Sequence, residues 1–220
     1  MLGNSLVAKA ASMLAAMALI GFSFGSLSGG QGLPAWLLSL LALLVFSGGA
    51  ELLAVTLSLA GASPVFLLMN CLLLNLRFFP LGLSVGDLFS NSSVEKLVAS
   101  HFVVDEIVAL TFTQDSIHMK RKVYWTASLA LLAVWPSSVF LGAYLSSGVI
   151  NAEAFGIDIV LPVAIILLII PAIKTLRMII AVITSVLTTT LAYLFLPAGI
   201  SILLAPLIAA FFFAPRGVSN

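Results

Sequence analysis

Charge is what this chain most lacks. Of its 220 residues, 9 are Lys or Arg and 8 are Asp or Glu, and at 8% of the sequence they fall far below the roughly 25% of a soluble domain. So few charges cannot cover the surface of a water-soluble globule of this size. That excludes a soluble enzyme, a nucleic-acid-binding domain and a disordered regulator. The formal charge of +1 gives no field to steer an acidic partner, so no nucleic acid is expected among its ligands. A single cysteine, Cys71, has no internal disulfide partner and sits in the apolar run 66–74, where it reads as a small core residue. The phosphate-cradling pattern G-x4-G-K-[ST] is missing, so ATP is not expected to be used by this chain, and no cofactor is expected. The H-E-x-x-H pattern is missing too.

What is present is apolar length. Hydrophobic residues make up 62% of the chain, and the mean hydropathy is +1.25. Both figures point to an integral membrane protein embedded in a lipid bilayer. A helix needs about 20 residues to cross roughly 30 Å of hydrocarbon. Apolar runs between polar breaks predict about eight membrane segments, near 10–27, 35–60, 64–85, 97–113, 124–147, 159–173, 178–196 and 199–214. The runs are continuous, which argues for helices over the alternating strands of a barrel. The fold expected is an all-α, polytopic transmembrane bundle of six to eight segments, some broken or re-entrant, forming one domain over 1–220. Lys9 before the first run is a weak start for a secretory signal, so that run is read as a retained span.

Placing the N-terminus in the cytoplasm puts Lys120, Arg121, Lys122, Lys174, Arg177 and Arg216 there as well. Glu153 and Asp158 then face outward, and Lys96 alone is misplaced. This positive-inside distribution favours two cytoplasmic termini, with Trp36, Tyr124, Trp125 and Tyr144 as interface anchors. Gly21, Gly25 and Gly29 recur every four residues, as do Gly82 and Gly86, a spacing that lets helix backbones approach closely in lipid.

Polar groups at membrane depth carry the functional signal. Glu51 lies between apolar runs just after Gly48 and Gly49. An ionised, unpaired carboxylate there is costly, so it is expected to be protonated or paired, and the glycine pair is expected to break the helix beside it. Broken helices at this depth often form transporter substrate sites. Arg77, after Asn75, offers a fork of donors for a substrate carboxylate or for Glu51, Asp105 or Glu106. Pro80 is expected to kink the helix near it. Asp105 and Glu106 follow His101 by about one turn, and on one helix His101 and Asp105 would share a face suited to a proton relay. One histidine and two acids fall short of a zinc signature, so no metal is expected. Glu51, Arg77 and Asp105 are expected to surround one internal chamber.

In order along the chain, Phe46-Ser47-Gly48-Gly49-Ala50-Glu51, Asn75-Leu76-Arg77 with Gly82-Leu83-Ser84, Asp105-Glu106, and Gly156-Ile157-Asp158 with Leu161-Pro162 resemble the conserved blocks of the AzlC family, the large subunit of branched-chain amino-acid exporters. The ordered set covers residue 22 to the C-terminus. The resemblance implies efflux of branched-chain and related neutral amino acids across the bacterial inner (cytoplasmic) membrane, and a small hydrophobic AzlD-type partner subunit. The chain departs from the family pattern where Ala50-Glu51 replaces Ser-Gln, adding a titratable group, and at Phe78 and Leu81. The expected function is a proton-driven secondary exporter and not an enzyme. Its expected substrate site is Gly48, Gly49, Glu51, Asn75 and Arg77, and Glu51, Asp105 and Glu106 are its expected proton-coupling groups. The alternatives are an intramembrane metalloenzyme or hydrolase built on His101, Asp105 and Glu106, or a non-transporting accessory subunit.

Overall fold

A computed structural model describes residues 4–89, 92–146, 173 and 175–196, and every regular element among them is helical. In chain order these are α1 (Asn4–Gly30), α2 (Ala35–Val45), α3 (Gly48–Leu59), α4 (Pro64–Asn75), α5 (Phe78–Val85), a 3-10 turn (Gly86–Leu88), α6 (Ser93–His101), α7 (Asp105–Thr111), α8 (Ile117–Ser146) and α9 (Leu176–Tyr193). The expected segments 199–214 and 159–173 (all but Ile173), with Glu153, Asp158, Lys174 and Arg216, lie outside the described residues.

Three of these helices are long and apolar enough to cross a membrane: Ser5–Gly30, Ile117–Ser146 and Leu176–Tyr193. The number rises to four if Pro64–Asn75 and Phe78–Leu88 form one bent span. The helices α2 and α3 are apolar but short, at 11 and 12 residues. Each covers roughly 16–18 Å, about half the hydrocarbon thickness.

The chain divides into two compact units. One comprises Met1–Leu52 and Asn75–Ala164, and the other Leu53–Leu74 and Ile165–Asn220. In the second unit, α9 starts at Thr175, whose hydroxyl accepts the Met178 N–H at 3.3 Å as an N-cap. Thr184 turns its hydroxyl back to the Ile180 carbonyl at 2.7 Å, satisfying itself within its own helix.

The first unit is organised by α1 against α8, with α2 also on α8. The glycine ladder explains the closeness. A Cβ on Gly25 would collide with the Val139 carbonyl, and one on Gly142 with the Phe22 carbonyl. A Cβ on Gly29 would lie 2.7 Å from Ala143 Cα. Ser23, Ser26 and Ser28 are buried alongside. Small residues thus let the two backbones touch where lipid supplies no hydrophobic drive for association. Gly82 and Gly86 differ: an added Cβ would meet nothing within 4 Å at either. That second pair is not a packing seam among the described residues.

At 30 residues, α8 is about 45 Å long, more than the membrane core needs. Its polar first turns carry the surplus. Arg121 there binds Glu95 of α6 at 2.6 Å, and the Lys120 ammonium lies 5.0 Å over the Phe112 ring. Tyr124 is fully buried and donates its hydroxyl to the Ala99 carbonyl at 2.7 Å, pinning α6 to α8.

The apolar run 97–113 is not one continuous helix. The backbone leaves helical geometry at Phe102–Val104, ending α6 at His101 and starting α7 at Asp105. The physical reason is visible in the packing: Phe102, Val103 and Val104 are all buried, and Phe102 makes edge contacts with Phe46 and Trp125. Burying three consecutive side chains favours an extended step over a helical face. His101 and Asp105 therefore close and open different helices, and the single-helix relay face expected from the sequence does not form.

Candidate functional site

The site begins where α2 stops. Phe46 takes the left-handed conformation, φ 50° and ψ 38°, and its N–H closes α2 on the Ala42 carbonyl at 3.2 Å. A bulky residue there costs of order 1–3 kcal/mol and persists only when its surroundings hold it. Here the ring is held by His101 and Phe102, with centroids 5.3 and 5.5 Å away. Stopping the helix leaves the last carbonyls of α2 without helical donors. His101 supplies one, donating Nε2–H to the Leu43 carbonyl at 3.1 Å, which fixes its tautomer whenever the ring is neutral. The loss of this bond in His101→Ala is expected to lower stability by about 1 kcal/mol, restored in part by His101→Gln. Thermal melts in detergent check this, and an unchanged melting temperature for His101→Ala would remove the capping role.

The helix break falls at Phe46–Ser47, just before the glycine pair, and Gly48 and Gly49 are the first two residues of α3. Ser47 caps that helix reciprocally with Glu51. The Ser47 N–H donates to Glu51 Oε1 at 2.8 Å, and the Glu51 N–H donates to the Ser47 carbonyl at 2.9 Å. The carboxylate thus sits in the first turn of α3, where the helix dipole favours negative charge. Glu51 is 0% exposed. Trp135 of α8 donates its indole N–H to both carboxylate oxygens at 3.1 Å each. The buried Ser47 hydroxyl donates to Asn75 Oδ1 at 2.8 Å, bringing the end of α4 into the same network.

Gly48 has a packing role within this cluster. A Cβ there would lie 3.1 Å from both Cη2 and Cζ2 of Trp135, so a side chain would crowd the indole that holds the carboxylate. Gly49 faces outward.

Arg77 lies between α4 and α5. It pairs with Asp105 at 3.8 Å, both side chains being about half exposed, and its guanidinium lies 4.7 Å over the Phe78 ring. Glu106 is half-buried beside Asp105. Of the pairings open to Arg77, the structure makes the one with Asp105. The expected residues therefore fall into two clusters: an enclosed one with Gly48, Glu51 and Asn75, and an open one with Arg77, Asp105 and Glu106. The backbone Asn75-Leu76-Arg77 joins them. Among the described residues Glu51, Arg77 and Asp105 do not line a single chamber: Glu51 is sealed by Ser47 and Trp135, whereas Arg77 and Asp105 are about half exposed. A cleft of about 520 Å³ lies elsewhere in the first unit, between Gly29, Pro34 and Trp36 on one side and Phe140 and Tyr144 on the other. Among the described residues no three His, Cys, Asp or Glu side chains converge as a metal site.

Three participants were not among the site residues expected from the sequence: Trp135, and Phe46 and Ser47, which entered there only as the start of a family-like block. Trp135 carried a signal, since an indole N–H at mid-span needs a buried acceptor.

Helices of membrane-crossing length, together with a sealed carboxylate at a discontinuous helix, define a polytopic membrane protein with an ionisable group at its centre. The chain belongs to the AzlC family: the family model described as AzlC protein matches residues 12–149, a stretch that holds every residue of both clusters. That family is associated with branched-chain amino-acid transport. No curated protein and no solved structure matches the chain.

Proposed function

We propose that this chain is the transport subunit of a secondary exporter that moves branched-chain or related neutral amino acids out of the cell, driven by the proton gradient. It would sit in the bacterial inner membrane as one transport domain of six to eight segments, with both termini in the cytoplasm, beside a small hydrophobic AzlD-type subunit. The observation that carries the proposal is the fully enclosed Glu51 at the α2–α3 break, in a family associated with this kind of transport.

The chemistry follows from the two clusters. A zwitterionic substrate needs one group for its carboxylate and one for its ammonium. Arg77 offers a fork of donors for the first, and Asp105 with Glu106 offers acceptors for the second. The Arg77–Asp105 pair is open and, at 3.8 Å, longer than a direct charge-assisted hydrogen bond, so a substrate can displace it at small cost. Glu51 then serves as the group that binds and releases a proton, its state favouring one conformation of the broken helix over another. Asn75 links the two, bonded to Ser47 and two residues from Arg77.

The test is efflux of labelled leucine, isoleucine, valine and methionine from proteoliposomes under an imposed pH gradient, with and without the partner subunit. Gradient-stimulated flux of at least one of them is expected, and flux indifferent to the gradient for all four contradicts the proposal. Arg77→Ala is expected to raise KM for efflux about tenfold or more with a smaller change in kcat. Asp105→Asn should act in the same direction. A fall in kcat at constant KM would place Arg77 outside substrate binding.

A further inference from the structure

We propose that Trp135 is a positioning residue of the transport cycle, which fastens the Glu51 carboxylate to the proline-weakened rung of α8 so that the α2–α3 break and that rung move as one hinge. The inference rests on Glu51 acting in transport, as proposed above, and adds the element through which it acts.

Three observations meet at residues 135 and 136. The first is a missing rung in α8. Pro136 lies inside the helix and has no N–H to give the Leu132 carbonyl, which weakens the helix at that point. The second is that both halves of the broken α2–α3 segment bind there. Ser39 of α2 donates its hydroxyl to the Pro136 carbonyl at 3.0 Å, and Glu51 of α3 accepts the Trp135 indole at 3.1 Å. The α2–α3 break is thus bridged across the proline-weakened rung of α8. The third is the fit of the ring. The indole lies where a Cβ on Gly48 would be 3.1 Å away and one on Gly21 of α1 would be 3.2 Å away, so it has little room to turn without moving a backbone.

The hydrogen-bond geometry says what would set the hinge moving. The indole N–H is shared equally between the two carboxylate oxygens, at 3.1 Å to each. Oε1 also accepts the Ser47 N–H, whereas Oε2 has only its share of the indole. A proton arriving on Oε2 occupies the lone pair that the indole uses, and the N–H must swing to Oε1 or leave. Because the ring is wedged between two glycine positions, that swing is passed to α8 at its weakest rung. Among the described residues no other charge competes for the carboxylate. Of the elements around it, α1 carries Lys9, about 18 Å along the helix from Gly21. Helix α2 carries no titratable group, and α7 carries Asp105 and Glu106. On α8 lie His118, Lys120, Arg121, Lys122, Tyr124 and Tyr144. None of these, among the described residues, is within ion-pair distance of Glu51.

The test is a double-mutant cycle on efflux in proteoliposomes, with Glu51→Gln, Trp135→Phe and both together, alongside the fluorescence of a protein in which Trp36 and Trp125 are Phe. Each single variant is expected to lower kcat about tenfold, with KM for valine little changed. The double variant should be no slower than Glu51→Gln alone, because two parts of one unit are lost together. The emission of the sole Trp135 should shift as pH is lowered, and Glu51→Gln should abolish the shift. If Trp135→Phe does not fold, the sulfur isostere of tryptophan at 135, which keeps the ring outline and lacks only the N–H, takes its place. Losses that multiply in the double variant, or a Trp135 emission that ignores pH while Glu51 is present, would overturn the proposal. If Glu51→Gln removes the pH dependence of efflux while Trp135→Phe keeps wild-type kcat and KM, the hinge fails and the exporter stands. If Glu51→Gln itself leaves that dependence intact, the hinge fails together with the transport role of Glu51.

Discussion

Gly25→Val is expected to prevent folded protein from accumulating in the membrane. The position faces the Val139 carbonyl so closely that even a methyl group has no space, and what it meets is backbone, not a side chain that can rotate away. Overpacking against movable side chains costs typically about 1–3 kcal/mol, and a rigid backbone neighbour places this substitution at or above the top of that range. Gly142→Val, directed at the Phe22 carbonyl from the other helix, should behave the same way. Gly82→Ala is the control, since an added Cβ there meets nothing within 4 Å. The check is the yield and melting temperature of each variant after mild detergent extraction. A Gly25→Val protein that extracts and melts like the parent would mean that α1 and α8 do not cross at these residues.

The second large effect is expected at Glu51, where two substitutions separate structure from transport. Glu51→Leu removes the acceptor for the Ser47 N–H and for the Trp135 indole, leaving two buried donors unpaired. At about 1–3 kcal/mol for each, that is enough to lower stability severely. Glu51→Gln keeps a carbonyl oxygen for those donors and nearly the same shape, but it cannot carry a proton through the cycle. It should fold close to normally and lose gradient-driven efflux by about tenfold or more. A Glu51→Gln protein that folds poorly would show that the charge itself holds the cluster together. A Glu51→Leu protein with full thermal stability would show that these hydrogen bonds contribute little.

Much of this was legible in the sequence because lipid imposes strong rules. Apolar length and the scarcity of charge sufficed for an all-helical membrane protein, and the four-residue glycine spacing at Gly21, Gly25 and Gly29 anticipated the α1–α8 seam. Glu51 stood out because a carboxylate in that setting demands partners. Which partners was not legible, since Trp135 lies 84 residues away and only tertiary packing brings its indole to the carboxylate. The exact helix break was also beyond local rules. Glycine is the better candidate for a break by propensity, yet the chain breaks at Phe46, where the ring contacts with His101 and Phe102 override it. The same aromatic packing divides 97–113, which reads as continuous because Phe102, Val103 and Val104 are as apolar as a helix core. Gly82 and Gly86 show the converse: the spacing is present, but no neighbour among the described residues uses it.

The most direct test follows protons and amino acid together. Proteoliposomes preloaded with valine and a pH-sensitive dye would be compared for the parent protein and Glu51→Gln. Valine leaving in company with proton movement in the parent, and neither tracking the pH gradient in the variant, is the predicted result. Valine efflux from Glu51→Gln that keeps its full response to the gradient would contradict a transport role for the buried carboxylate.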